Sequence, residues 1–165
     1  MTDMIAHHTQ AIVMARWAPT HGASSSIRTL AGRVVNAQQD EIATMQQWLR
    51  DRGLPAPEAR VDGGKVMMVV DGTAHEHRMP GMLTEAQITQ LDSARGAQFD
   101  RLFLTFMIQH HRGAVEMIKE LIASPGAAHD DTVFKIASDI NVDQTTEIDR
   151  MQKMLAEMLF EPRGP

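Results

Sequence analysis

Apolar side chains recur every three or four residues from Met4 to about Trp17, which predicts an amphipathic helix that stops at Pro19 and Gly22. The same spacing resumes at Ile27 and runs to Leu49, with Ser24, Ser25 and Ser26 in front as candidate caps and Gly53-Leu54-Pro55 behind. From Ala56 to Leu83 the period is lost: Asp62-Gly63-Gly64 and Asp71-Gly72 read as turns, and Val66 to Val70 as part of a short hairpin within a long connector. Thr84-x-x-Gln87 has the form of a capping box opening a brief helix to about Ala94. Helical spacing then returns from about Ala97 to Ala123, breaks at Ser124-Pro125-Gly126, and resumes from about Asp130 to Phe160.

Four long helices in two hairpins predict an all-α four-helix bundle with a long Met/His-containing connector and one short extra helix. The chain of 165 residues is of ordinary size for one domain, 1–165, divided into a first hairpin (1–55), the connector (56–95) and a second hairpin (96–165).

The two hairpins repeat each other. Met4-Ile5-Ala6-His7-His8 returns as Met107-Ile108-Gln109-His110-His111, and each copy closes with a methionine seven residues after its first histidine, Met14 and Met117. Gln38-x-x-Glu41-Ile42-x-x-Met45 likewise returns as Gln144-x-x-Glu147-Ile148-x-x-Met151, which predicts a pseudo-twofold bundle. His7 and Gln38 are equally far along the chain from the turn near Gly22, so antiparallel helices would place Gln38 and Glu41 level with Met4, His7 and His8. By the same count Gln144 and Glu147 fall level with Met107, His110 and His111. The copies differ in front, where Phe99 to Phe106 precede Met107 but three residues precede Met4, so the first copy reads as clipped.

Composition narrows the chemistry. A formal charge of −5 without a long basic run argues against nucleic acid, and the longest apolar run, Val66 to Val70, is far below the roughly 18 residues of a membrane helix. Neither membrane insertion nor nucleic-acid binding is expected. Cysteine is absent, which removes disulfides, thiolate ligands and cysteine nucleophiles, while methionine (13 residues) and histidine (eight) are abundant. Any soft ligand must then be a thioether.

On a helix, Met4 lies three and four residues from His7 and His8, so the three side chains can converge, and small Ala11 and Ala114 leave room beside the imidazoles. One reading is structural: the methionines are core, and one histidine of each pair is buried against the level glutamate. The duplication favours a metal site, because packing alone tolerates Leu or Ile, whereas both copies keep His-His with every flanking methionine. A di-iron carboxylate bundle needs Glu three residues before each histidine. Here that residue is Met, which favours copper, as Cu(I) or Cu(II), over iron, manganese or zinc. Glu41 and Glu147 would orient the imidazoles or join Cu(II) as ligands. The connector adds His75, His77, Met79 and Met82, either a looser, more exchangeable metal site or a solvated loop. His21 and His129 stand outside any constellation and read as solvated loop residues.

Taken together, the two MIxHH motifs, MPGMLT, FDRLFLTFMIQHH and the two QxxEIxxM motifs make the chain resemble a bacterial domain-of-unknown-function family that includes CopM-like copper-binding proteins. That resemblance implies a ferritin-like fold, export to the periplasm or cell exterior, and copper sequestration or trafficking, with a copper donor or acceptor protein as partner and no established catalytic activity. Carried over by motif, it implies metal ligands among Met4, His7, His8, Met14, Met107, His110, His111, Met117, Met79 and Met82, with Met45 and Met151 in the second-helix motif. A ferritin-like iron or manganese enzyme using Glu41, Glu147 and the histidines is the competing expectation, and a metal-free helical interaction module a third.

Overall fold

The structure is a computed structural model that describes all residues but 63–64, 71–72, 77–78, 128 and 161–165, and the side chains of all the rest but 69–70, 73–76 and 159. Among the described residues five helices form: α1 (Thr2–Arg16), α2 (Ser25–Asp51), α3 (Glu85–Ser93), α4 (Gly96–Ala123) and α5 (Asp131–Phe160). The expected all-α bundle is the architecture adopted, with α1 packed on α2, α4 on α5, and α1 also against α4. Ser24 caps α2 through a bond from the Ile27 amide, and Thr84 with Gln87 forms the predicted capping box at α3.

The connector is more ordered than expected. It folds into a three-stranded antiparallel sheet, β1 (Glu58–Asp62), β2 (Lys65–Val70) and β3 (Thr73–Glu76), in the order β1-β2-β3. Strict alternation in Glu58-Ala59-Arg60-Val61-Asp62, with Ala59 and Val61 half-buried between exposed neighbours, is the period-two signal that the turn-rich composition concealed. Val66 and Met68 of β2 bury themselves against Ala6 of α1, so the sheet covers one flank of the first helix.

Two apolar clusters occupy the bundle interior. One gathers Met14, Leu30, Phe99, Phe103, Met107 and Met151, with Phe99 and Phe103 stacked at 5.7 Å. The other gathers Met4, Met45, Leu49, Ala114, Ile118 and Ile140. Along α1 and α4 the histidine pairs fall between the residues that join these two clusters.

His21 corrects the sequence reading. It is buried, stacks on Trp17, packs tilted against Phe99, and shares its Nε2 proton between the Asp92 backbone and side-chain oxygens at 2.9 and 3.0 Å. Its backbone carbonyl accepts from Gly96 at 2.9 Å, and the Asp100 carboxylate accepts from the Ser24 amide, so the α1–α2 turn is tied to the start of α4. These partners lie some 70 residues away in the sequence, which is why local pattern gave no sign of them. His129 is exposed, as expected.

Candidate metal centre

α1 and α4 carry the two histidine pairs into the same layer, and all four imidazoles have no accessible surface. His7 and His110 meet with ring centroids 3.8 Å apart and planes tilted by 38°. Turned by about 100° around each helix, His8 and His111 point instead to the neighbouring helices, where they reach the carboxylates that the equidistance argument placed level with them. The His8 Nε2 to Glu41 Oε2 distance is 2.7 Å and the His111 Nε2 to Glu147 Oε2 distance is 2.6 Å. The same pairing therefore forms in both hairpins.

These bonds assign the tautomer. Nε2–H of His7 donates to the Pro80 carbonyl at 3.0 Å, and Nε2–H of His8 and His111 donates when the facing carboxylate is ionised, so each of the three rings then presents a lone pair on Nδ1. Those Nδ1 atoms have no hydrogen-bond partner, and neither nitrogen of His110 has one. Of the ten buried side-chain nitrogen and oxygen atoms without a partner among the described residues, nine belong to these histidines, Gln38, Glu41 and Gln144. Leaving such atoms unsatisfied costs about 1–3 kcal/mol each, so concentrating them in one layer needs a reason other than stability.

Electrostatics keep the rings of His7, His8 and His110 neutral. Burial, reinforced by repulsion from His8, lowers the pKa of His7 to about 3 despite the opposing Pro80 bond. Burial and His111 lower that of His8 to about 3 as well, and burial with the three other histidines holds His110 well below 6.5. Glu41 moves the other way, up to about 7, through burial and the proximity of Glu147. Asp143 is raised by burial and then by Glu41 and Glu147. A neutral imidazole is the form that ligates a metal.

The methionines separate into two groups. Met4, Met45 and Met117 line one cavity of about 440 Å³, together with Met1 and Met79. Met14, Met107 and Met151 are completely buried in the Phe99–Phe103 cluster. Met82 packs with Met79 against the sheet, while the side chain of His75 and the whole of His77 lie outside the described residues. Among the described residues no three His, Asp or Glu side chains converge as a ready-made metal cage. The histidine layer and the methionine-lined cavity offer imidazole and thioether, donors suited to a soft cation with few ligands.

Three residues that hold this arrangement escaped the sequence reading. The segment Met79-Pro80-Gly81-Met82 is a strap lying across α1 and α4. Buried Gln10 donates to the Leu83 carbonyl at 3.2 Å and accepts from its amide at 2.8 Å. Gln109 donates to the Gly81 carbonyl at 3.3 Å. Gly113 lets the strap in, since a Cβ there would lie 1.9 Å from the Pro80 oxygen. A glycine in mid-helix, which costs about 1 kcal/mol against alanine, was the available signal of a close backbone approach.

A family model described as "Domain of unknown function (DUF305)" matches residues 1–155. The chain belongs to the DUF305 family. Among solved structures it is similar to a putative secreted DUF305 protein from Streptomyces coelicolor (26% identity, 95% of this chain and 90% of that one, TM-score 0.76). It is also similar to a DUF305 fragment from Deinococcus radiodurans (30% identity, 93% and 91% covered, TM-score 0.72). The Cu(II)-bound form of CopM is 26% identical over 94% of this chain and 93% of that one, with a TM-score of 0.71; Cu(I)-bound and silver-bound forms of CopM match too. A search of curated proteins finds no significant match. Among the described residues no helix is long and apolar enough to cross a membrane.

Proposed function

We propose that this protein binds copper outside the cytoplasm, in the periplasm or beyond the cell, and sequesters it or passes it to a partner protein without turnover. The observation that carries the reading is the set of buried imidazoles whose Nδ1 atoms are unpartnered while Nε2 of His8 and His111 is held by Glu41 and Glu147. Carboxylate on one ring nitrogen and a lone pair on the other is the arrangement of a metal-ligating histidine and the residue that orients it. Similarity to CopM, solved with Cu(I), Cu(II) and silver, supports the choice of metal, and similarity to a putative secreted protein supports the location.

His7, His8, His110 and His111 would supply the imidazole ligands, with Met4 and Met107 one turn before each pair. Met79 and Met82, with His75 and His77, would form the looser connector site. Glu41 and Glu147 act here through the rings, which weighs against an iron or manganese pair bridged by them. Titration of metal-free protein with Cu(I), Cu(II), Zn(II) and Fe(II), followed by thermal melting, tests the reading. A ligand at about 100 times its Kd should add about 2.7 kcal/mol of stability. Copper is expected to raise the melting temperature most, and His110→Leu to abolish the rise. A melting temperature indifferent to copper would favour the metal-free module, and a larger rise with Fe(II) the ferritin-like enzyme. Fractionation of cells producing the native protein should recover it outside the cytoplasm; retention inside would sink the location.

A further inference from the structure

All four imidazoles of the histidine layer lack accessible surface, so an ion from solvent reaches them only if some part of the protein moves. Their surroundings are held in two different ways. α1, α2, α4 and α5 interlock through the side chains of the two apolar clusters, and parting them would expose that core. The strap, residues 79–82, belongs to no helix or strand and is only half-buried. Polar bonds tie it down: His7 Nε2–H donates to the Pro80 carbonyl at 3.0 Å, and Gln109 Nε2–H to the Gly81 carbonyl at 3.3 Å.

On α4 the strap rests backbone against backbone. Gly81, at φ +76°, lies so close that a Cβ on it would fall 2.7 Å from Gly113 Cα. Two glycines offer no side chains to interdigitate, so these surfaces can part without unpacking a residue. Beside this contact is open volume: Met79 and Pro80 line the 440 Å³ cavity, together with Met4 from the turn before His7. The far end of the strap is anchored instead. Leu83 is part of the buried core, and Gln10 holds both its polar groups.

We propose that the strap is a gate over the histidine layer, hinged at Leu83. It lifts off Gly113 toward the adjoining cavity, releases His7 Nε2 from the Pro80 carbonyl, and opens a path for a metal ion to His7 and to His110, whose ring lies against it. The identity of the ion rests on the copper reading; the motion does not. Opening breaks a few exposed-edge hydrogen bonds and spares the packed core, so it costs far less than unfolding. The fixed hinge returns the strap to the same place, as in other loop closures over buried sites.

The test follows solvent exchange of the His7 Nε2–H by ¹H–¹⁵N NMR in metal-free, full-length protein, with urea raised in steps below the unfolding transition. A local opening exposes little surface, so this exchange should be nearly independent of urea, while the amides of Leu83 and Phe103 should quicken steeply. Gln109→Leu removes a bond to the strap and touches no histidine, and should speed His7 exchange about fivefold. If His7 exchange climbs with urea as steeply as that of Phe103, the layer opens only by unfolding and there is no gate. If Gln109→Leu leaves it unchanged, access runs elsewhere, through fraying of α1 or the seam between α2 and α5. Uptake of Cu(I) from a weak chelator should quicken by the same factor in Gln109→Leu, and equal uptake rates would overturn the strap as the path of the ion. No uptake by either protein, with the exchange results as expected, would sink the copper reading and keep the gate.

Discussion

At the position three residues after the first histidine, one copy of the motif has Gln10 and the other has Gly113. Gln10 grips the strap by both polar groups of Leu83; Gly113 removes a side chain so that Pro80 and Gly81 can lie on the helix. The two helices hold one segment by opposite means, attraction on one side and the removal of a clash on the other. The same contrast recurs in the methionines, where one triad meets a cavity and its partner is sealed under phenylalanines. Duplicated motifs therefore share their polar layer, His8 with Glu41 and His111 with Glu147, and diverge in what is built around it.

The largest effect should come from acid, which acts on the layer that the copies share. His7 and His8 have folded pKa values of about 3 against an ordinary 6.5, so between those values the unfolded chain holds more protons. Their contribution is complete above pH 6.5 and is lost as the pH falls toward 3. Glu41 opposes them: with a folded value near 7 and an ordinary one of 4.5, it stabilises most below pH 4.5 and loses that contribution as the pH rises through 7. Urea unfolding of the metal-free protein should show a shallow decline from pH 7 to 4.5 and a steep one below, with a total on the order of several kcal/mol. A flat profile to pH 4 would mean that water reaches the histidine layer.

Next come the two clamps, where the copies differ. Gly113→Val should cost about 3 kcal/mol by overpacking against the Pro80 carbonyl. Gln10→Leu should cost about 2 kcal/mol by leaving the Leu83 amide and carbonyl without partners. Exchanging the pair, Gln10→Gly with Gly113→Gln, should be worse than either alone, because the strap fits only one orientation. An exchange that unfolds at the wild-type urea concentration would show the clamps to be interchangeable.

His110→Leu should act in the opposite direction. Both ring nitrogens of His110 are buried without partners, and an apolar side chain of similar size removes that deficit. The metal-free variant should gain up to about 1–3 kcal/mol in urea unfolding. A loss of that size would mean that the ring is satisfied in solution, for example by ordered water.

The smallest effect tests the methionine triads. Met45→Leu and Met151→Leu are repeat-equivalent and nearly volume-conserving, so each should cost less than about 1.5 kcal/mol. Met151, in the sealed cluster, should be the costlier of the two, since Met45 borders space into which neighbours can relax. Equal urea midpoints would mean that the cavity is as well filled as the core.

Most of the fold was legible because it is written in local periods. Apolar spacing, serine caps and the Thr84–Gln87 box located all five helices to within a few residues. Simple counting from the turns then placed Glu41 level with His7 and His8, and Glu147 level with His110 and His111, because antiparallel helices preserve equal distances from their connection; the structure chose His8 and His111 as the bonded partners. The sheet was half legible: Val66 to Val70 showed as a strand, while β1 and β3 were masked by charged and small residues in short runs.

What the sequence by itself determined is the composition of the candidate site: two histidine pairs, two glutamates and the methionines of the repeated motifs, each set by its spacing along a helix or by the symmetry of the hairpins. Tertiary structure alone decided which of these equivalents differ. The burial of His21, the strap locked between Gln10 and Gly113, and the opening beside Met45 rather than Met151 all depend on contacts between segments far apart in the chain. Periodicity reports which face of a helix is buried, but not what lies against it; whether a methionine meets a phenylalanine or a cavity is set by the partner's side chains.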